Sequence, residues 1–319
     1  MAADSALDAL ARALGARARR DEPLARYTAM RIGGPADLLV VCESVAEVRE
    51  TVQAAQACGV SWMLLGGGCN VLVADAGVRA VVIVNHAAKV WFSEPEAGHM
   101  GDGWDRPLPP HAVRAEAGAL IALLARATVE RGLGGLEWAT GLPGTVGGAV
   151  VGNAGAFEGE IASTLHSALV LEDDGRVVEQ PAAWFGFDYR SSCIKRQGMA
   201  CRTPLLAAEF ALRPGDPAQL AARASEILEW RQTRHPSGAT MGSTFKNPPG
   251  SHAGYLIEQA GLRRCRIGGA EISELHGNFF MNVGGATALD VLALIEHARA
   301  EVKRQFGYEL ELEIELVGF

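Results

Sequence analysis

The chain has 319 residues, a length typical of two or three domains with a sizeable core. Hydrophobic residues make up 49% and charged residues 21%, the balance of an ordinary soluble globular protein. The net charge of −8 disfavours nucleic-acid binding, which usually requires a basic face.

The N-terminal residues 1–26 predict an amphipathic helix with Leu7, Leu10 and Leu14 on one face. This segment lacks the apolar core of a signal peptide, and no run of 18 apolar residues predicts a membrane span. The cysteines are dispersed without a CxxC pair, which favours reduced thiols over a disulfide framework or a zinc site. We therefore expect a cytoplasmic protein that holds no metal and uses neither a membrane nor nucleic acid.

Residues 27–85 predict a small α/β unit of order β-α-β-loop-β. Its elements are a strand at Asp37–Cys42, a helix over 44–60 that begins with a Ser44–Glu47 capping box, and strands at Met63–Leu65 and Val81–Val84. The loop Gly66–Asn70 fits neither the GxGxxG fingerprint nor a P-loop. Its consecutive backbone N–H groups instead suit an anion such as a pyrophosphate.

Residues 86–213 predict a second set of strands around one helix. The polar segment 94–110 is typical of a surface loop or hairpin. The predicted elements are strands at Val113–Ala117, Ser167–Leu171, Val177–Val178 and Leu205–Leu212, and a helix at Leu120–Arg131. Arg213–Pro217, rich in Pro and Gly, indicates a domain boundary.

The glycine-rich stretch 132–160 stands apart from its neighbours, because its composition suits neither a helix nor a strand. Gly147, Gly148 and the segment 153–156 leave no large side chain to block a close approach. One interpretation is a pair of tight loops in a large fold. The other is a wall on which a long, flat, phosphate-bearing ligand lies.

The last third predicts a mixed helix and strand domain. The predicted elements are helices at Leu220–Arg234, Tyr255–Ala260 and 286–307, and strands at Ala270–Ile272, Phe279–Asn282 and 309–318. The final strand alternates acidic and apolar residues, which predicts one face in water.

Taken in order, these pieces resemble the UDP-N-acetylenolpyruvoylglucosamine reductases (UDP-N-acetylmuramate dehydrogenases, the MurB family) from Tyr27 to Gly318. Each matching stretch is short, but their common order makes the resemblance specific. The stretches are RIGGPAD (31–37), GGGCNVLV (66–73), GLPGTVGGAV (141–150), NAGAF (153–157), FDYRSS (187–192), GSTFKNP (242–248), GGAEIS (268–273), HGNFFMN (276–282), ATALDV (286–291) and LELEIELVG (310–318).

The resemblance implies an α+β protein with an FAD-binding fold of the vanillyl-alcohol-oxidase type. The FAD-binding part would comprise two α/β subdomains, 27–85 and 86–213, after an N-terminal helix over 1–26, and a substrate domain would follow at 214–319. It also implies noncovalent FAD, NADPH as hydride donor, and reduction of UDP-N-acetylglucosamine enolpyruvate to UDP-N-acetylmuramate in peptidoglycan synthesis. Such an enzyme would act on a small molecule, and we expect a monomer.

The resemblance also implies the catalytic residues. Arg190 matches a residue that stabilises the substrate carboxylate, Ser243 matches the proton donor, and Glu313 matches an acidic residue of the final strand. Glu309, Glu311 and Glu315 share the predicted strand face with Glu313. An alternative interpretation is that three of these four acids are simply solvated. In isolation, Arg190 would be a surface arginine and Ser243 a turn serine.

Binding residues follow from the same motifs. Cofactor contacts are expected at Arg31, Ile32, Gly33, Gly66, Gly67, Gly68, Cys69, Asn70, Gly141, Pro143, Gly144, Thr145, Gly147, Gly148, Asn153, Ala154 and Gly155. Substrate contacts are expected at Tyr189, Arg231, Arg234, Lys246, Asn247 and His276. For Arg231 and Arg234, the preference of helix ends for cations is an equal explanation, and His276 fits a structural role as well.

Three departures from the family pattern stand out. Cys69 replaces the usual serine of the glycine loop, and Gly277 replaces the usual alanine of the HAN motif. The segment between Arg190 and Arg234 lacks the tyrosine-bearing loop of some members, which indicates the shorter subtype. Two other functions stay open: an oxygen-using flavin oxidase with FAD tethered through a residue such as Cys69, and a noncatalytic nucleotide-binding paralogue.

Overall fold

The computed structural model describes residues 2–93, 104 and 106–319. Eleven residues of the predicted 94–110 loop, 94–103 and 105, lie outside the described part. The helices are α1 Ala2–Leu14, α2 Val45–Ala57, α3 Ile121–Glu130, α4 Val146–Val151, α5 Pro217–Arg234, α6 Ala253–Gln259 and α7 Ala288–Phe306. None of the helices in these ranges is long and apolar enough to cross a membrane.

Nineteen strands lie among these helices in the described part of the chain. They are β1 Ala18–Pro23, β2 Pro35–Cys42, β3 Trp62–Leu65, β4 Val71–Val73, β5 Val78–Asn85, β6 Val90–Phe92, β7 Ala112–Glu116, β8 Leu133–Gly134, β9 Gly155–Ala156, β10 Gly159–Glu160, β11 Leu165–Leu171, β12 Val177–Pro181, β13 Leu205–Ala211, β14 Arg213–Pro214, β15 Thr240–Ser243, β16 Arg266–Ile267, β17 Ala270–Ile272, β18 Phe279–Asn282 and β19 Glu315–Val317.

The contacts divide the chain into two units built from alternating segments. Unit 1 contains Met1–Arg20, Leu38–Gly67 and Ala80–Glu229, and unit 2 contains Asp21–Asp37, Gly68–Arg79 and Trp230–Phe319. The predicted domains are continuous in sequence, and their boundaries at 27, 86 and 214 stay a prediction. The Arg213–Pro217 segment lies inside unit 1, where β14 pairs with β8.

Unit 1 has two main sheets. An antiparallel sheet of order β12-β11-β13-β7-β6 carries one core, in which Phe185 and Phe210 are fully buried. A sheet of order β1-β2-β5-β3, with β3 and β5 parallel, carries the other. α1 packs on that second core through Leu7, Leu10 and Leu14, which confirms the predicted apolar face.

Unit 2 is built on the antiparallel sheet β15-β18-β17-β16. α7 covers a core that includes Phe245, Phe280 and Leu294. β4 joins the same unit by pairing in parallel with β19, Val71 opposite Glu315.

Local structure differs from the sequence predictions at the N-terminal segment and at the α2 cap. The predicted N-terminal helix ends at Leu14, because Gly15 has a φ of 59°, and Ala18–Pro23 forms β1 instead. The Ser44 Oγ accepts from the Glu47 N–H at 3.3 Å as predicted. The Glu47 carboxylate, however, accepts from Glu43 at 2.7 Å, so the reciprocal half of the capping box is not formed with Ser44.

The predicted strand 309–318 is mostly not a strand. Only Glu315–Val317 pairs, Leu312 makes a single bridge with Phe245, and the chain bends at 313–314. The bend shifts the alternation of side chains, so that Leu316 is 37% exposed. The four glutamates therefore do not share one strand face.

Candidate active site

The glycine-rich stretch contains a short helix, α4, which its composition did not predict. Thr145 caps this helix, its Oγ1 accepting from the Gly148 N–H at 3.4 Å. The N–H groups of Val146 and Gly147 donate at 2.8 Å to carbonyls of residues 117–119. Since these three N–H groups are used internally, this part of the stretch presents bare backbone rather than donors for a phosphate.

Thr145 also connects this stretch to the other glycine loop of unit 1. A Cβ on Gly66 would lie 2.4 Å from the Thr145 Oγ1, so only glycine fits there. Gly148 is exposed, and a Cβ on it would meet only that same oxygen, at 3.7 Å. Gly66 and Gly148 are both predicted cofactor residues, and both lie next to the Thr145 hydroxyl. The surface at Gly148 is open.

The remaining predicted cofactor residues of unit 1 differ in exposure. Gly67, Gly141 and Pro143 are exposed, whereas Gly147 is buried against Ala117. Gly144 accepts from the N–H that begins α3, at 3.2 Å. These contacts give Gly144 and Gly147 a packing role in addition to any contact with a ligand.

Asn153 is buried and holds the NAGAF segment in place. Its Nδ2 donates to the Glu160 carboxylate at 3.2 Å and to the Asp188 carbonyl at 3.1 Å, and its Oδ1 accepts from Ala162 at 3.0 Å. The whole residue is 1% exposed. Asn153 therefore orders the segment from within, while Ala154 and Gly155 lie half-buried beside it.

Arg190 lies against this same segment. Its guanidinium donates to the carbonyls of Asn153, at 3.4 Å, and Gly155. It also stacks over the Tyr189 ring, with the Cζ 4.9 Å from the ring centre, and Tyr189 is 44% exposed. The structure therefore brings the predicted carboxylate-binding arginine, a predicted substrate residue and the predicted cofactor segment together within unit 1.

In unit 2, the RIGG turn packs against the second half of the glycine loop. Gly68 accepts from the Ala29 N–H at 3.0 Å, and a Cβ on Gly68 would meet the Tyr27 carbonyl at 2.1 Å. The Thr28 side chain bonds the main chain of Ile32, and Arg31 has a φ of 56°. Arg31 is exposed, Ile32 is buried, and Gly33 packs on β4.

Ser243 ends β15, after an irregular pairing with β18. The register shifts between Thr240 and Ser243, and Gly242 between them has a φ of 75°, which favours glycine. The next residue, Thr244, accepts from the Glu313 N–H at 2.9 Å. Ser243 and Glu313, far apart in the sequence, are therefore on adjoining segments of unit 2.

The predicted substrate residues of unit 2 are engaged in local contacts. The Lys246 Nζ lies 2.5 Å from the Glu311 carboxylate, and Asn247 Oδ1 accepts from the first N–H of α6 at 3.0 Å. His276 Nδ1 accepts from Asn278 at 3.1 Å, and burial lowers the pKa of His276. Glu311 thus takes part in an ion pair on the exposed side of the 309–315 segment.

The two predicted arginines of α5 differ in exposure. Arg231 is 9% exposed, and burial lowers its guanidinium pKa. Arg234 is exposed and stacks on Trp230, its Cζ 5.4 Å from the ring centre. Arg234 therefore fits the alternative explanation, a solvent-exposed cation at a helix end. Arg231 instead packs inside the protein.

Sequence analysis missed two residues that organise this part of unit 2. The His235 ring contacts those of His276 and Phe279, with centres 5.7 Å and 4.6 Å away. Burial and the nearby Arg231 lower the pKa of His235 to about 4. Asn278 is buried and makes two hydrogen bonds to the Phe245 main chain. The only available sequence signals were the place of Asn278 inside the HGNFFMN motif and the position of His235 just after the predicted helix Leu220–Arg234.

Among the described residues, no group of three or more His, Cys, Asp or Glu side chains is arranged to hold a metal ion. All six cysteines lie in the described part of the chain, and each is a free thiol.

Comparison with known proteins identifies the family of the chain. A family model of the FAD binding domain matches residues 36–180, and a model of the UDP-N-acetylenolpyruvoylglucosamine reductase C-terminal domain matches residues 233–317. The UDP-N-acetylenolpyruvoylglucosamine reductase of Rubrobacter xylanophilus is 44% identical over 302 residues, covering 94% of this chain and 95% of that protein. The chain belongs to the UDP-N-acetylenolpyruvoylglucosamine reductase family.

Further relatives agree with this assignment. A protein of Bacillus thuringiensis subsp. konkukian named UDP-N-acetylenolpyruvoylglucosamine reductase 1 is 41% identical, covering 93% of this chain and 94% of that protein. The solved UDP-N-acetylenolpyruvylglucosamine reductase of Thermus caldophilus has a TM-score of 0.75 and 33% identity, covering 94% of this chain and 99% of that one. The predicted α+β FAD-binding fold is confirmed.

One of the three departures from the family pattern, Gly277, has a local structural reason. A Cβ on Gly277 would lie 2.6 Å from the Gly254 carbonyl, so the close approach of these two segments requires glycine in this chain. Cys69 is half-buried, and burial raises the pKa of its thiol. The segment after Arg190 contains a short 3₁₀ helix at Lys195–Gln197.

Proposed function

We propose that the chain reduces UDP-N-acetylglucosamine enolpyruvate to UDP-N-acetylmuramate, in peptidoglycan precursor synthesis, with noncovalent FAD and with NADPH as the hydride donor. Membership of the reductase family supports the reaction, and the match to an FAD binding domain supports the flavin. The observation that carries the proposal is the 2.9 Å hydrogen bond from Glu313 to Thr244, which places the Ser243 strand end beside Glu313.

The residues present fit FAD, a long cofactor with a flat ring system. Open backbone at Gly148 and the bare Gly66 beside it suit a flat ligand, and the Gly68–Asn70 turn offers a compact loop free of long side chains. These segments would hold the cofactor, together with Gly141 and Gly155. Bound FAD supplies hydride transfer to the substrate.

Arg190 binds the substrate carboxylate, where negative charge collects when hydride adds to the double bond. Its backbone contacts at Asn153 and Gly155 hold the guanidinium in place before the substrate arrives. The planar guanidinium presents its N–H donors in a fork that matches the geometry of a carboxylate.

Ser243 donates a proton to the carbon next to that carboxylate, which completes the lactyl ether. Serine is a weak acid, so a neighbouring group must support the transfer. Glu313, on the adjoining segment, supplies that support by hydrogen bonding to the reacting group through its carboxyl group. Arg234 and Lys246 contribute positive charge for the substrate phosphates, with Tyr189 as a further contact.

The test is to replace Ser243 and to follow the two half-reactions separately. In Ser243→Ala, we expect flavin reduction by NADPH to be unchanged and flavin reoxidation by the enolpyruvyl sugar nucleotide to slow by about 10²–10⁴-fold. Ser237→Ala, at an exposed serine of the same unit, is the control. Equal slowing of both half-reactions would show that Ser243 is not the proton donor.

A flavin oxidase with a tethered cofactor is the second candidate, because Cys69 lies inside the predicted flavin loop. Burial raises the pKa of the Cys69 thiol, which disfavours the thiolate needed for a covalent link. Denaturation should therefore release all of the yellow colour from the protein. Retained flavin, or no NADPH oxidation that depends on substrate, would contradict the reductase.

We also propose that the enzyme works as a cytoplasmic monomer. Support for the compartment comes from the six free thiols, which a reducing environment preserves. Sedimentation of the purified FAD-bound protein tests the oligomeric state.

A further inference from the structure

Residues 68–74 of unit 2 are hydrogen bonded on both sides. On one side, Gly68 accepts from Ala29 at 3.0 Å, and Ala74 accepts from Gly34 at 2.9 Å. On the other side, β4 pairs with β19, and the Ala74 N–H donates to Val317 at 2.9 Å. Main-chain hydrogen bonds therefore connect the strand that follows the predicted flavin turn to the segment that carries Glu313.

Asn70 is the residue that makes this connection at Glu313 itself. Its side-chain Nδ2 donates to the Glu313 carbonyl at 3.2 Å. Its own carbonyl accepts from the Glu315 N–H at 3.0 Å. Because the Glu313 N–H donates to Thr244, both polar groups of the Glu313 main chain are bound to neighbouring segments.

The side-chain bond is needed because regular pairing stops at this point. The parallel ladder begins at Val71 opposite Glu315, and the chain bends at 313–314. At this bend, the Glu313 carbonyl accepts from the Asn70 side chain. The Asn70 amide extends the connection by one residue beyond the strand.

We propose that Asn70 is the positioning residue for Glu313 and that it couples the flavin turn Gly68–Asn70 to the acid of the second half-reaction. The inference rests on the proposed function, and it assigns the Asn70 side chain to Glu313 rather than to the cofactor. Asn70 fixes the backbone from which the Glu313 side chain projects. A ligand that orders the turn thereby also orders Glu313.

The test uses Asn70→Asp in the full-length FAD-bound protein. Aspartate has nearly the same shape, but its carboxylate cannot donate to the Glu313 carbonyl. We expect flavin content and flavin reduction by NADPH within about twofold of the parent. We expect substrate-dependent reoxidation to slow by about ten- to a hundredfold, the effect of a small displacement of a catalytic group.

Amide hydrogen exchange gives a readout that does not depend on activity. In the parent protein, we expect FAD to slow exchange of the Glu313 and Glu315 amides. In Asn70→Asp, both amides should exchange faster, and FAD should no longer slow their exchange. Asn70→Ser, whose side chain is too short to reach the carbonyl, should behave in the same way. Thr287→Ala, which removes the cap of α7, is the control for a general loss of stability and should leave the ratio of the two half-reaction rates unchanged.

Three results would overturn the proposal. The first is loss of FAD from both Asn70 variants with a normal reoxidation rate per bound flavin, which would make Asn70 a cofactor ligand. The second is unchanged exchange at Glu313 and Glu315. The third is a change in the ratio of the two half-reaction rates in Thr287→Ala that equals the change in Asn70→Asp. If the parent protein shows no reoxidation by substrate, the proposed function fails, while amide exchange still decides whether Asn70 holds Glu313.

Discussion

Within unit 1, two residues of the candidate site, Asn153 and Arg190, have a left-handed backbone that side chains disfavour. Their φ values are 42° and 53°, and such a conformation costs about 1–2 kcal/mol for an ordinary residue. Asn153 is held by its buried side-chain bonds, and Arg190 lies in a turn closed by reciprocal bonds between Asp188 and Ser191. The strain therefore lies at the residue that we propose binds the substrate carboxylate, as is common in active sites.

Thr244, beside Ser243, has a hydroxyl that the fold does not use. The residue is fully buried, and its Oγ1 has no hydrogen-bond partner among the described residues. We expect Thr244→Val to raise the free energy of unfolding by up to about 1 kcal/mol, because valine keeps the shape without burying a polar group. Urea denaturation measures the change.

Thr51→Val is the matched control for this prediction. Thr51 is equally buried, but its hydroxyl donates to the Glu47 carbonyl at 2.7 Å. Its replacement should lower the free energy of unfolding by about 1 kcal/mol. If both variants lose stability equally, the Thr244 hydroxyl has a partner such as a bound water.

At the scale of elements, the 68–79 segment is also attached to the N-terminus of α7. Thr287 and Asp290 form a capping box, and the Asp75 carboxylate accepts from the Ala288 and Leu289 N–H groups at 2.8 and 3.2 Å. A helix leaves its first N–H groups without partners, and its N-terminus attracts negative charge. Asp75 therefore both caps α7 and ties β4 to it.

We expect Asp75→Ala to lower the free energy of unfolding by about 1–2 kcal/mol, since it removes two hydrogen bonds and a favourable charge. Asp75→Asn should lose less, because one acceptor oxygen remains. Glu296→Ala is the control, because the Glu296–Arg299 pair on the same helix is exposed and worth under about 1 kcal/mol. Equal effects of Asp75→Ala and Glu296→Ala would contradict the capping role.

At the scale of the whole molecule, buried histidines make stability depend on pH. Burial, Arg231 and His276 lower the pKa of His235 to about 4, below its ordinary value of about 6.5. As pH falls through that range, the unfolded chain binds a proton that the folded chain does not. Stability is therefore retained above about pH 6.5 and is lost as the pH falls toward 4.

We expect His235→Phe to flatten the dependence of urea midpoints on pH between about 6.5 and 4. Adding His276→Gln to this variant should flatten the pH dependence further, because the pKa of His276 is also lowered by burial. Phenylalanine suits the cluster, in which the His235 ring already contacts Phe279. A curve for His235→Phe that runs parallel to that of the parent would contradict the prediction.

Local patterns in the sequence were enough for most elements. Leu7, Leu10 and Leu14 predicted the buried face of α1, and the range predicted for the last helix contains α7. Periodicity succeeds there because each pattern depends on neighbours within a few turns. It failed at α4, where Thr145 and contacts to residues 117–119 stabilise a helix that glycine and valine do not favour.

By itself, the sequence determined the family and the fold class and predicted the candidate site residues, because motifs such as GSTFKNP and FDYRSS are short and local. Only the tertiary structure decided how those residues are held. It showed that the N–H groups beginning α4 are used internally, that Asn70 binds the Glu313 carbonyl, and that the final strand shortens to Glu315–Val317. The physical reason is that each of these features depends on hydrogen bonds between segments distant in sequence, which no local pattern records.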